Sequence, residues 1–267
     1  MTNSLRDTTR ALAFLAGHPG EAVDRVRSKA EVFSDERRQP SVSVAYEPTQ
    51  DFEARLHTQL GEPYPCRASA EFDETWAGLE VSFADDSSFV GEWIHDSDPG
   101  LAGTVWCLVR HLRPRNVVET GVARGITSRV LLEALEKNGE GLLWSVDLPL
   151  LRSRWHAQTG AAVPESLRTR WTYLRGSSRR RLPKLLSTLG AIDVFVHDSA
   201  HTEANMRFEF ETAWPALRDG GALVSHDAGM NDAFAAFADA AGAEPLLSRY
   251  DESSGLVGVL VKGAGHV

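Results

Sequence analysis

The chain has 267 residues, of which 42% are hydrophobic, and a formal net charge of −9. That is enough apolar material for a full core, arranged as one large domain or as a domain with an appendage. The acidic balance argues against the broad attraction that drives nucleic-acid binding, and no apolar run approaches the ~18 residues of a membrane span.

The start, Met1-Thr-Asn-Ser-Leu-Arg6, has no basic segment followed by an apolar one, so the cytoplasm is the expected compartment. Cys66 and Cys107 stand far apart in sequence and read as ordinary reduced thiols, outside any disulfide framework or cysteine-based metal site. Helical patterning runs from Leu12 to Val26, a charged stretch follows at Ser34-Asp-Glu-Arg-Arg-Gln-Pro40, and Pro48, Pro63 and Pro65 break the chain beyond it. Phe72, Trp76, Phe83, Phe89 and Trp93 alternate with acids; they either cover the mouth of a ligand site or pack this segment onto the rest. The predicted division is an accessory, mostly helical segment over 1–95 and a main domain over 96–267.

Leu101 to Leu112 reads as a helix leading into Asn116-Val-Val-Glu-Thr-Gly-Val-Ala-Arg-Gly-Ile-Thr-Ser128. Val117 and Val118 suit a buried strand, Gly121 and Gly125 permit a tight turn, and Ile126, Val130, Leu131 and Leu135 follow at near-helical spacing, with Gly139 as the stop. This is the layout of a nucleotide-cofactor site. The spacing of the two glycines is not the G-x-G-x-x-G dinucleotide fingerprint, which disfavours a diphosphate and with it an NAD-dependent dehydrogenase. Glu119, an acid just before the turn, suits a cofactor that carries an amino group and a sulfonium. A second strand, Gly141-Leu-Leu-Trp-Ser-Val-Asp147, ends in an acid able to accept both hydroxyls of a ribose.

Apolar strands then alternate with helical patterns, the signature of a parallel α/β sheet, with strands predicted at 116–120, 142–147, 171–175, 192–198 and 221–226. The short run Arg175-Gly-Ser-Ser-Arg-Arg-Arg181 reads as a solvated helix start or as a patch for an anionic substrate group. Glu244-Pro-Leu-Leu-Ser-Arg-Tyr250 and Gly255-Leu-Val-Gly-Val-Leu-Val-Lys262 are separated too briefly for a crossover helix and must pair as a hairpin or near-hairpin.

Together with Ile192-Asp-Val-Phe-Val-His-Asp-Ser-Ala-His-Thr202 and Trp214-Pro-Ala-Leu-Arg-Asp-Gly-Gly-Ala-Leu-Val-Ser-His-Asp227, these features make the region from Gly100 to Lys262 resemble the class I S-adenosylmethionine (SAM)-dependent methyltransferases. Within that class it is most similar to the small-molecule O-methyltransferases of the macrocin and catechol type. The resemblance implies a doubly wound, seven-stranded Rossmann-like α/β sheet of order 3-2-1-4-5-7-6, its last strand antiparallel. It implies SAM as cofactor, with the turn at Glu119, Gly121 and Gly125 near the methionine portion and Asp147 on the ribose. Ser177 would neighbour the adenine, although relatives often carry an acid there. Thr127 and Ser128 either donate to the methionine carboxylate at a helix N-terminus or simply cap that helix. Asp198 borders the same cofactor site.

A hydroxyl acceptor must lose its proton, with help from a base or a divalent cation. In metal-dependent relatives an acid after strand four and a pair of groups after strand five hold the cation; here these positions are Asp198, His226 and Asp227. His226 stands where an acid is usual, which leaves three readings open: a site preferring a borderline transition metal over magnesium, a lost metal site with His226 as base, or a histidine that only caps the strand. His201 takes the place of the lysine base of catechol-type relatives, while Ala200 excludes the acid that serves some sugar O-methyltransferases. His201, His226 and Asp198 are thus the catalytic candidates, and His197, one residue before Asp198, should face away. Trp155 and His156 are candidates for the acceptor pocket. The implied partner is a small hydroxylated molecule, with no membrane or nucleic acid; the oligomeric state is open, a homo-oligomer included. The alternative is a non-catalytic SAM-binding or scaffold protein with a degenerate metal site.

Overall fold

The structure, a computed structural model, describes residues 11, 13–38, 46–84, 98–149, 151, 158–252 and 254–263. Phe89 and Trp93, and the acceptor-pocket candidates Trp155 and His156, lie outside the described residues. Toward the N-terminal side stand α1 (Pro19–Arg38), α2 (Phe52–Leu60) and α3 (Arg67–Ala84). Then follow α4 (Pro99–Leu112), β1 (Asn116–Thr120), α5 (Ile126–Asn138), β2 (Leu142–Asp147), β3 (Trp171–Arg175), α6 (Ser178–Leu189), β4 (Ile192–His197) and α7 (Glu203–Ala213). β5 (Leu217–Ser225), α8 (Ala233–Ala241), β6 (Leu246–Ser248) and β7 (Val257–Val261) complete the order.

The seven strands form one sheet in the order β3-β2-β1-β4-β5-β7-β6. β1 through β5 run parallel to one another, and β7 is antiparallel to both β5 and β6. This is the order and the antiparallel last strand that the resemblance implied. β5 begins at Leu217, four residues before the expected start, because its first residues pair with β4 ahead of a register shift between Ile192 and Val194. Gly220, at φ 75°, absorbs the irregularity and donates its N–H to Lys262 O.

Successive strand residues face opposite sides, so both faces of the sheet are buried. Val117, Val194 and Val196 join a core with α4 and α5, while Val118, Phe195 and Leu223 join a second core with α6, α7 and α8. Leu56 of α2 and Trp76 and Leu79 of α3 belong to the first core. α2 and α3 therefore share the main core. Among the described residues no helix is long and apolar enough to cross a membrane.

The strand order reverses between β1 and β4, and the crevice beyond their carboxyl ends is where open α/β sheets bind ligands. α4 aims at that edge: Asp98 caps it by accepting N–H bonds from Gly100 and Leu101 at 2.7 and 3.1 Å, Pro99 occupies its first turn, and its apolar face from Leu101 to Val109 is buried.

Candidate functional site

At the carboxyl end of β1, Glu119 is fully buried. Its Oε2 accepts from Ser128 Oγ at 2.7 Å and Ser145 Oγ at 2.6 Å, while Oε1 has no partner. Burial is the largest influence and, against those two hydrogen bonds, raises its pKa to about 8, with the charges of Asp198 and Asp147 adding to the rise. Ser128 thus spends its hydroxyl on Glu119, and Thr127 stands half-buried beside it in the first turn of α5.

The two glycines of the turn are required by protein neighbours. Gly121 lies at φ 86°, and a Cβ on it would meet the backbone oxygen of Asp198 at 1.8 Å. A Cβ on Gly125, at φ 84°, would meet Gly160 Cα at 2.9 Å. At the end of β2, burial raises the pKa of Asp147 to about 6, although the N–H groups of Val122 and Leu148 donate to it. Its Oδ2 is buried without a partner. Two buried acceptor oxygens, Glu119 Oε1 and Asp147 Oδ2, therefore remain unfilled along this edge. That chemistry fits a ligand presenting a cation or N–H groups and hydroxyls.

Beyond β3 the basic run is partly solvated, with Arg180 and Arg181 exposed, but three of its arginines are paired with protein acids. Arg175 pairs with Glu21 at 3.0 Å, Arg180 with Asp24 at 3.0 Å and Arg179 with Glu31 at 2.8 Å, all acids of α1. Ser177 donates to Asp24 at 2.8 Å, and Arg25 reaches Pro149 O at 2.6 Å. The run is the seam that docks α1 across the ends of β2 and β3.

After β4 and β5, a compact polar cluster gathers the expected residues. His226 Nδ1 lies 3.0 Å from Asp198 Oδ1 and 3.9 Å from Asp227 Oδ2. His201 Nε2 lies 3.9 Å from Asp198 Oδ1, and its Nδ1 lies 3.8 Å from Asp227 Oδ2. Asp227 adopts φ 50°, and Gly255 leaves it room, since a Cβ there would meet its Oδ1 at 2.2 Å. Sequence reasoning missed Asp98, whose Oδ2 faces His226 Nε2 at 3.2 Å. An aspartate-proline pair ahead of an apolar helix is a capping signal, and capping alone does not show that the second oxygen reaches this site.

The two imidazoles are driven apart in charge. Burial opposes protonation of His226, but Asp198, Asp98 and Asp227 outweigh it and raise its pKa to about 11. Burial and the neighbouring His197 lower the pKa of His201 to about 4, against Asp198 and Asp227. In this arrangement His226 carries the proton and His201 is the free base. Donor atoms of Asp198, His201 and His226 lie within 4.8 Å of one another. A set with two imidazoles suits a borderline ion better than magnesium, and ligation would require His226 to give up its proton.

A second buried network backs this cluster. Glu209, fully buried, accepts from Thr120 Oγ1 at 2.5 Å, Ser199 Oγ at 2.8 Å and Asn205 Nδ2 at 3.0 Å, and lies 2.6 Å from His197 Nδ1. The His197 ring meets that of His201 edge-on at 5.2 Å. His197 is thus behind the site, with no exposed surface. Cys66 and Cys107, read as ordinary reduced thiols, are both free, and they come together with His57 and His111, because α2, α3 and α4 pack on one another.

Residues 118–228 match the family of the methyltransferase domain. No curated protein matches the chain. Among solved structures, the chain is similar to an O-methyltransferase from Bacillus cereus in complex with SAH: 14% identity, TM-score 0.52, covering 79% of this chain and 97% of that one. It is similar too to the O-methyltransferase TomG from Streptomyces achromogenes, involved in tomaymycin synthesis and solved with SAM, at 15% identity and TM-score 0.49, covering 80% and 97% of the two chains. A SAH-bound methyltransferase from Podospora anserina aligns at 12% identity and TM-score 0.45, over 82% and 98%. The first of these shows the shared fold.

Proposed function

We propose, for a chain whose residues 118–228 match the model of a methyltransferase domain, that it transfers the methyl group of SAM to a hydroxyl oxygen of a small molecule. One observation carries this reading: the turn after β1 packs directly on the backbone of Asp198, so the buried acids of the cofactor edge and the Asp198, His201, His226 and Asp227 cluster share one crevice. When bound, SAM supplies an electrophilic methyl group. Glu119 and Asp147 bind its polar ends through their unfilled oxygens, with Thr127 and Ser177 at the margins. The acceptor oxygen would take that methyl group as its carbon–sulfur bond breaks, with the sulfur keeping the electron pair. His201, uncharged, takes the hydroxyl proton, and the Asp198 and Asp227 carboxylates steady the imidazolium that results. If a divalent cation takes part, Asp198, His201 and His226 would hold it, with Asp227 beside them and His201 no longer free as the base; its chemistry is stabilisation of the acceptor oxyanion.

Isothermal titration of cofactor-free protein with SAM tests the first half of the reading. Binding is expected, and it should weaken about a hundredfold or more in Asp147→Ala; no binding to the wild type would end the reading. The second half is tested by mass spectrometry on a panel of hydroxylated small molecules, where His201→Ala should keep SAM affinity and lose turnover. Elemental analysis of the purified enzyme decides the metal. The replacement of the usual acid by His226, held between Asp198 and Asp98, favours a second reading, a SAM-binding protein without catalysis. It predicts SAM affinity with no methylated product from the whole panel.

A further inference from the structure

Four metal-ligating side chains converge away from the sheet edge: His57 of α2, Cys66 in the turn ahead of α3, and Cys107 and His111 of α4. One ligand atom from each lies within 4.8 Å of all the others. Cys107 Sγ is already 3.6 Å from His57 Nε2. Tetrahedral zinc, with sulfur at ~2.3 Å and nitrogen at ~2.0 Å, sets its ligands roughly 3.3–3.8 Å apart, so closing the cluster needs side-chain shifts of about an ångström.

The surroundings are those of ligands. Cys107 and His111 stand one turn apart on the same face of α4. His57 Nδ1 lies 2.6 Å from Glu53 O, which fixes the N–H there and leaves Nε2 with its lone pair toward Cys107. His111 Nδ1 lies 3.7 Å from the Glu62 carboxylate, while its Nε2 is buried with no hydrogen-bond partner. The two rings meet nearly at right angles, 4.8 Å apart. Both cysteines are free thiols, and His57 and Cys107 are buried.

We propose that His57, Cys66, Cys107 and His111 bind one zinc ion in a tetrahedral Cys2His2 site that fastens the segment 52–66 to α4. Four protein ligands leave no open position, so the role is structural. The ion replaces the two thiol protons, which pass to solvent, and no oxidation occurs. Cys107 stands nine residues along α4 from Asp98, about 14 Å by helical rise, so this site and the sheet-edge cluster hold opposite parts of one helix.

The test uses the full chain, stripped by chelator under reducing conditions and titrated with cobalt(II) chloride. The expected result is the strong visible absorption of tetrahedral cobalt together with a thiolate-to-cobalt charge-transfer band, saturating at one equivalent and abolished by one equivalent of zinc. The charge-transfer band separates this site from the sheet-edge cluster, which has no sulfur, and Asp198→Asn should leave it unchanged. Cys66→Ser and His111→Gln, each checked for a native circular-dichroism spectrum, should weaken cobalt binding at least about a hundredfold. No charge-transfer band in the reduced wild type overturns the proposal, whatever the variants do. So does a Cys66–Cys107 disulfide, read as a mass loss in protein isolated without reductant.

Discussion

The backbone oxygen of Asp198 occupies the space in which a side chain on Gly121 would begin, 1.8 Å from the position of its Cβ. The neighbouring N–H of Asp198 donates to Thr120 O at 2.8 Å, so the turn after β1 and the loop after β4 are locked together. A methyl group at Gly121 must displace backbone, and the positive φ adds strain of its own. Gly121→Ala should cost about 3 kcal/mol in urea denaturation and abolish SAM binding in calorimetry, since it moves Asp198 and His201 outward. Wild-type stability with unchanged SAM affinity would contradict this account.

Glu209 binds the same loop from behind. Burial works against its charge, but His197, Ser178 and Thr120 prevail and hold its pKa down at about 2. A carboxyl lowered from its ordinary value of 4.5 stabilises the fold fully above that value and loses the contribution as pH falls toward about 2. Glu209→Gln should therefore be destabilised by about 3–5 kcal/mol at neutral pH, the cost of breaking a buried pair. Urea denaturation repeated at falling pH should show the gap to wild type narrowing below about pH 4.5. A gap independent of pH would mean that packing, not charge, is what the substitution removes.

How much of this was legible in the sequence depends on how far apart the participants lie along the chain. The strands, the glycine turn and the Asp198 to His201 spacing are local patterns, and β-branched runs and turn residues write them directly. The sheet order came through the resemblance, because a crossover rule fixes handedness and not order. Asp98 meets His226 across more than a hundred positions, and its capping role gave no sign of its second contact. His57, Cys66, Cys107 and His111 come together only because two helices fold onto α4. The basic run after β3 looked like a face for water or a ligand, since nothing local marks Glu21, Asp24 and Glu31 as its partners.

That acidic and basic seam makes the docking of α1 sensitive to salt. The exposed face of α1 carries Val23, Val26 and Phe33, so its hold on the domain rests heavily on charge. Individual partly exposed pairs contribute about 0–1 kcal/mol, and raising salt from about 0.1 to 1 M shortens the screening length from about 10 to about 3 Å. Limited proteolysis within α1 should accelerate about tenfold over that range, and Asp24→Ala, which strips partners from Arg180 and Ser177, should be cleaved fast even at low salt. Cleavage insensitive to both would show that apolar contact holds the helix.

On the proposed reading, Glu119 ties protonation to cofactor binding. Burial raises its pKa from 4.5 to about 8, so it is uncharged at neutral pH in the ligand-free protein. The sign follows from linkage: a folded-state value raised above the unfolded one gives a contribution that is complete below about pH 4.5 and lost as pH rises through about 8. Without ligand, Glu119→Gln should accordingly gain on wild type in alkaline denaturation curves, because its amide never has to ionise in the core. A bound sulfonium and amine would favour the carboxylate and make binding release a proton. SAM affinity of the wild type relative to Glu119→Gln should then rise between about pH 6 and 8, a comparison in which the titration of SAM itself cancels. Calorimetry in buffers of different ionisation enthalpy measures the released proton directly. An affinity ratio that stays flat across this range, with no proton released, would place Glu119 outside the reach of the cofactor's charge.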